Sequence, residues 1–203
     1  MKIIKIVVTG GPCAGKSTAL SYIRQTAEAR GFYVLTVGET ATELISGGVA
    51  PWTCGTNAEY QAHQIALQMA KEEIFTSAAL TMPKEHVLIV HDRGLLDNRA
   101  YMTEAEFASC LASRGEKEEE YLARYDAVFH LVTAARGAEA FYTTENNKAR
   151  TETPEVARKV DDALISAWEK HPRHTIIDNE GSFSDKMQRL CDALDSLLCE
   201  VTP

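Results

Sequence analysis

The chain has no C-x-x-C spacing, and its cysteine count is odd, at five: Cys13, Cys54, Cys110, Cys191 and Cys199. Neither a disulfide framework nor a zinc site is implied, and reduced thiols in a cytoplasm are the expectation. It also lacks any run of about 18 apolar residues, the length a membrane span requires. The apolar stretch Ile3 to Val8 is too short for the core of a leader peptide and runs straight into a glycine-rich loop, so it reads as a buried strand. Basic residues are in deficit: 21 Lys and Arg against 29 Asp and Glu leave a net charge of −8. That balance argues against a nucleic-acid polymer or an acidic membrane covering a broad surface. Internal repeats and proline- or serine-rich linkers are missing as well. The 203 residues, 45% of them apolar, suit one domain spanning 1–203 with a sizeable core.

Short apolar runs separated by longer helical patterns predict alternating strands and helices, the pattern of a parallel sheet covered on both faces. Five strands are expected: Lys2 to Thr9, Phe32 to Val37, His86 to His91, Ala127 to Thr133 and Thr175 to Asp178. None alternates cleanly with polar residues, as strands buried on both faces should not. Helices are expected from Ser17 to Arg30, stopped by Gly31, and from Asn57 to Leu80 with Ile65, Met69 and alanines on one stripe. Thr153 and Pro154 cap a third, whose apolar face is Val156, Val160, Ala163, Leu164, Ala167 and Trp168. Ser182 and Asp185 open a last one carrying Phe183, Met187, Leu190, Leu194 and Leu197. The charge run Glu116 to Glu120 reads as a solvated helix face.

Gly10-Gly11-Pro12-Cys13-Ala14-Gly15-Lys16-Ser17 fits G-x-x-x-x-G-K-[ST] after an apolar strand and at a helix start, the context its mechanism requires. Glycines let successive N–H groups curl toward phosphate oxygens, and the helix adds its positive end. Gly10 to Thr18 are therefore the expected nucleotide-binding residues. Lys16 is expected on the terminal phosphates of ATP or GTP, and the Ser17 hydroxyl on Mg²⁺. Cys13 reads as a small loop residue whose modification would block binding.

Val87 to Val90 delivers Asp92 and Arg93 to the carboxyl edge of the sheet, where ligands bind in open α/β folds. Asp92 there can hold Mg²⁺ through water or take a proton from an attacking hydroxyl, and Arg93 can clamp a phosphate or substrate oxygen. His91 reads as structural. Glu39, after the second strand, either accepts hydrogen bonds from substrate hydroxyls or favours a helix N-terminus. Trp52, in an irregular loop, either stacks on a substrate ring or packs in the core. The polar segment 134–153 reads as a lid flanked by Arg136 and Arg150, with Arg158 on the following helix; such cations neutralise a transferring phosphoryl group. Arg136, and Asn179 after the last strand, are candidate nucleotide contacts, Asn179 at the base.

Molecular switches and motors end the acidic strand in Asp-Glu or Asp-x-x-Gly, and guanine readers carry Asn-Lys-x-Asp; neither pattern occurs here. Asp-Arg after that strand points to small-molecule and nucleotide kinases instead. Val8 to Ser17, Gly38-Glu39-Thr40-Ala41-Thr42 with Gly47-Gly48, Asp92-Arg93-Gly94, Asn146 to Glu152 and Ile177-Asp178-Asn179 together extend the pattern over nearly the whole chain. It resembles the AAA-type P-loop domain shared by the ribosylnicotinamide kinase part of NadR and the TRPL translocation defect protein. The resemblance implies a nucleotide-kinase-like fold with Mg²⁺ and a lid. It also implies that Gly15, Lys16 and Ser17 bind phosphate and metal, that Asp92 and Arg93 serve the chemistry, and that Arg150 acts from the lid.

The expectation is thus a three-layer α/β P-loop NTPase with a parallel sheet ordered 2-3-1-4-5. Its expected activity is phosphoryl transfer from ATP·Mg²⁺ to a small-molecule acceptor, a nucleoside or nucleotide. The alternative left open is a nucleotide-dependent switch or binding module for a protein or lipid partner.

Overall fold

The structure, a computed structural model, describes residues 1–142 and 153–201. Five parallel strands, β1 (Lys2–Thr9), β2 (Tyr33–Val37), β3 (His86–Asp92), β4 (Ala127–Leu131) and β5 (His174–Ile177), pair in the order β2-β3-β1-β4-β5. The expected order therefore holds. Strand ends move by one or two residues, chiefly at β4, which stops at Leu131; the Val132 N–H still donates to Ile177 of β5, but its carbonyl accepts from Lys186 and the Thr133 hydroxyl turns to the Pro12 carbonyl. The register runs Lys2 with His86 through Val8 with Asp92, so the ends of β1 and β3 arrive at the same edge.

Side chains on β1 alternate between two cores, as a pleated strand requires. Ile4, Ile6 and Val8 face α1 (Lys16–Ala29) and the last helix, packing on Ala19, Ile23, Met187, Leu190 and Leu194. Val7 faces the opposite layer, with Ile65, Leu95, Leu96, Phe107, Val128 and Trp168. A strand buried on both sides has no room for polar alternation, which is why these strands read as plain apolar runs.

Several elements were not anticipated. α2 (Thr40–Ser46) follows β2, and a 3-10 helix (Leu95–Tyr101) follows β3. α4 (Glu104–Arg114) is opened by a reciprocal Thr103–Glu106 capping box. α5 (Glu118–Leu122) takes up most of the acidic run and leaves Glu119 and Glu120 exposed, in keeping with the solvated face expected there. α3 (Asn57–Thr81) begins at Thr56, whose hydroxyl accepts the Glu59 N–H. The expected apolar stripe holds, with Ile65 buried in the core and Ala62 and Met69 packed against it, and beside it Gln61, Gln64, Gln68 and Glu72 are buried as well. Four polar side chains at helical spacing, all turned inward, form one wall of the site rather than core packing.

α6 (Pro154–Trp168) starts as expected, with Thr153 accepting the Val156 N–H. Leu164, Ala167 and Trp168 face inward as expected, but in the first turns Ala157 and Asp161 are buried while Val156 lies outside. α7 (Phe183–Val201) closes the fold, with Ser182 and Asp185 exchanging hydrogen bonds at its start. Among the described residues no helix is long and apolar enough to cross a membrane.

Candidate nucleotide and acceptor site

The turn from β1 to α1 is shaped by close approach. A Cβ on Gly10, at φ +142°, would fall 2.1 Å from the Leu131 carbonyl oxygen at the end of β4. Only glycine fits there. Gly15 lies at φ +91° under the Phe183 ring. Cys13 and Arg93 are the two non-glycine residues with left-handed backbone among those described, and both stand at this site. Such conformations persist where surrounding contacts over-determine them. For Arg93 those contacts are its N–H on the Val8 carbonyl and its own carbonyl accepting from Gln68.

Lys16 opens α1 with its side chain turned into the loop, Nζ 3.1 Å from the Gly10 oxygen. Burial, helped by the Arg93 charge, lowers its pKa to about 8, against the pull of Glu39, Asp92 and Asp97. A desolvated ammonium facing a loop of amides is a site waiting for anionic oxygen. Ser17 and Thr18 are exposed at the helix start.

Across from Lys16, at the end of β3, the Asp92 carboxyl is pushed above its usual range by burial, with Lys16 opposing. Its Oδ1 is buried without a hydrogen-bond partner. A hydroxyl at a helix start and an orphaned carboxylate oxygen are the hard oxygen donors Mg²⁺ prefers when phosphates supply the rest. No cluster of three His, Cys, Asp or Glu capable of holding a metal by itself exists among the described residues.

Arg93 is held on two sides. Its Nε donates to Glu39 Oε1 at 2.5 Å, and Nη1 lies 3.8 Å from Asp97 Oδ2. Burial pushes the Glu39 carboxyl up, but the charges of Arg93 and Lys16 outweigh it and hold the pKa near about 2. Glu39 does sit at the N-terminus of α2, yet its side chain makes no cap bond; it turns to Arg93 and to the Thr42 hydroxyl. Behind Arg93, buried Asp97 accepts from the Thr9 hydroxyl at 2.8 Å and from the Trp168 indole at 2.6 Å. The α3 wall continues the polar lining: Gln64 donates to Asn98, Asn98 to Gln68, and Tyr125 to Glu72. Gln61 Oε1, Tyr60 OH and Arg93 Nη1 are buried without a hydrogen-bond partner. His91 is buried edge-on against the Tyr125 ring, a packing position.

On the other side of the P-loop lies a cavity of about 350 Å³, lined by Cys13, Ala14, Gly15 and Thr18 and walled by Ala134, Phe141, Asn179 and Phe183. Phe183 was expected in the core; it is half exposed because it faces this cavity. Asn179 is a wall rather than a free contact. Its amide nitrogen donates to the Thr133 and Arg136 carbonyls, and its oxygen accepts from Lys186. The Arg136 guanidinium points to the surface, paired with Asp162 at 2.6 Å, and Arg158 donates to the Ala135 carbonyl. Trp52 is 74% exposed, which removes the core-packing reading, since the loop carrying it stands off the sheet. Gly11 also differs from expectation: its N–H donates to Asp161 Oδ1 at 2.8 Å instead of facing the cradle. Arg150 lies outside the described residues.

Asp97, Asp161, Lys186 and the glutamines of α3 escaped the sequence reading. Asp161 left a signal there, a carboxylate among the apolar positions of α6. Asp97 left only its spacing five residues after Asp92.

A parallel sheet ordered 2-3-1-4-5 with this loop between its central strand and first helix defines a P-loop nucleotide-binding fold. The match to the AAA domain family runs over residues 5–186, and the chain belongs to that family. The fold resembles deoxyadenosine kinase from M. mycoides with the products dCMP and a flexible dCDP bound, at 14% identity and a TM-score of 0.62, covering 95% of this chain and 100% of that one. The same kinase with bound dATP matches at 12% identity and a TM-score of 0.59, covering 95% of this chain and 99% of that one. No curated protein matches.

Proposed function

We propose that the chain is a P-loop kinase that transfers the γ-phosphoryl group of ATP to a hydroxyl or phosphate of a small acceptor, a nucleoside or nucleotide. The observation that carries this reading is a set of buried polar atoms on the β2, α3 and β3 side of the P-loop. Asp92 Oδ1, Arg93 Nη1, Tyr60 OH and Gln61 Oε1 are all buried without a hydrogen-bond partner. A switch needs a phosphate sensor alone; unmatched polar groups beside it suit a second molecule, because each costs free energy until it is paired. The kinase with a related fold supports the choice of acceptor class.

In this reading Lys16 stabilises charge gathering on the transferring group. Asp92, whose carboxyl pKa burial pushes up, either accepts the proton of the attacking hydroxyl or holds metal-bound water. Arg93, already fixed by Glu39 and Asp97, meets the acceptor or the transferring phosphoryl without losing much side-chain entropy. Mg²⁺, held through Ser17 and Asp92, would neutralise phosphate charge. Arg150 would complete the clamp from the lid, and the family branch would be that of the ribosylnicotinamide kinase part of NadR and the TRPL translocation defect protein.

The test is to incubate the purified chain with ATP, Mg²⁺ and pooled nucleosides and nucleotides and to follow ADP. ADP release that depends on one acceptor is expected. Slow hydrolysis indifferent to every acceptor, together with nucleotide-dependent capture of a protein or lipid partner, would instead establish a switch.

A further inference from the structure

A trans peptide is planar, so its C=O and N–H point in opposite directions. Whatever holds a carbonyl at the rear of the P-loop therefore aims the following amide at its front. Two side chains from distant parts of the chain do this. Thr133, just past β4, donates its hydroxyl to the Pro12 carbonyl, which turns the Cys13 N–H forward. Lys186, on α7, donates to the Ala14 carbonyl at 3.0 Å, which turns the Gly15 N–H forward. At Gly11 the sense is reversed: Asp161 takes the amide, and the Gly10 carbonyl faces Lys16.

Lys186 is only 2% exposed. Its three ammonium donors meet three oxygens: Ala14 O, Val132 O at 2.6 Å and Asn179 Oδ1 at 2.7 Å. These come from the P-loop, the end of β4 and the loop after β5, the three segments that border the cavity. Burying an ammonium among neutral carbonyls costs several kcal/mol of desolvation, and burial lowers its pKa to about 8. An apolar side chain of similar length would fill that space without the cost. What the ammonium adds is direction, because it dictates where three carbonyls point.

We propose that Lys186 and Thr133 are positioning residues of the nucleotide site, acting through the P-loop backbone to aim the Gly15 and Cys13 amides at the phosphates. The inference rests on the nucleotide-binding reading above.

Amide NMR with ADP as the probe tests it. In the native chain, ADP is expected to move the Cys13 and Gly15 amide resonances downfield. Lys186→Met, which keeps most of the stem and removes the donors, abolishes the Gly15 shift and spares that of Cys13. Thr133→Val does the reverse, and Thr133→Ser restores it. Each damaging variant weakens ADP binding by roughly 10- to 100-fold, the usual penalty for small misplacement. Where Lys186→Met does not fold, Thr133→Val against Thr133→Ser decides alone. A merely structural role would lower the melting temperature while leaving both shifts and the affinity native in the folded protein, and that result overturns the proposal. A native chain that shows no response to ADP overturns the nucleotide reading, and this inference with it.

Discussion

The two halves of the site are built by different means. The phosphate side is one contiguous turn, Gly10 to Thr18, whose shape follows from its own glycines and the helix it opens. The proposed acceptor side is assembled from Glu39 after β2, Tyr60 and Gln61 on α3, and Asp92 to Asp97 at and after the end of β3, residues brought together by the sheet order. One half is local and, in the proposed reading, carries a general chemistry; the other is non-local and would carry the specificity. Changes on the phosphate side should therefore damage every reaction the chain performs. Changes on the acceptor side should sort acceptors.

The sharpest way to break this division is Lys16→Ala. Phosphoryl transfer should fall by roughly 10³-fold or more with any acceptor, while the melting temperature is unchanged or rises, since a buried, desolvated ammonium is removed. Retained turnover would sink the assignment. Asp92→Asn is next: the rate with the best acceptor should drop roughly 10²- to 10³-fold with ADP still bound, as calorimetry would register. Glu39→Gln releases Arg93 from its charge partner. It should raise the acceptor KM roughly tenfold, in line with loss of a charge-assisted hydrogen bond, and leave the ATP KM alone.

The pH response separates binding from folding. Lys16 titrates near about 8 in the ligand-free fold, below its usual 10.5. Nucleotide affinity should fall as pH rises through 8, because the bound phosphates need the ammonium. The contribution of Lys16 to stability runs the other way. Between the folded and unfolded pKa values the unfolded chain holds the extra proton, so this term favours the fold increasingly from pH 8 toward 10.5. Affinity titrations and thermal melts across that window should move in opposite directions. The smallest effect belongs to Trp52→Ala, which should alter stability by less than about 0.5 kcal/mol. A changed acceptor KM would place the Trp52 ring on the substrate, and an unchanged one would leave it an exposed loop residue.

Legibility followed the range of the contacts. Gly10 to Thr18 and Asp92-Arg93 could be read because motif, strand and helix start lie within a few residues of each other. On α3 the apolar stripe through Ile65 and Met69 is legible and meets the core, but the inward-facing Gln61, Gln64, Gln68 and Glu72 beside it are not. Gln64, Gln68 and Glu72 find partners in Asn98, Arg93, Tyr125 and Arg124, while Gln61 Oε1 has no hydrogen-bond partner. Asn179 does line the cavity beside the P-loop, but the sequence carries no sign that Thr133, Arg136 and Lys186 hold its amide there. None of those partners is a sequence neighbour.

By itself, then, the order of residues determined the parallel sheet, its strand sequence and the glycine-rich P-loop turn. Apolar runs, helix caps and glycine spacing act over a few residues, and the chain has few ways to combine them. Only the tertiary structure decided which carbonyls of that turn are held by Thr133 and Lys186 and which carboxylates and amides are buried beside it. Buried polar groups take their partners from distant segments, so their roles do not exist until those segments meet.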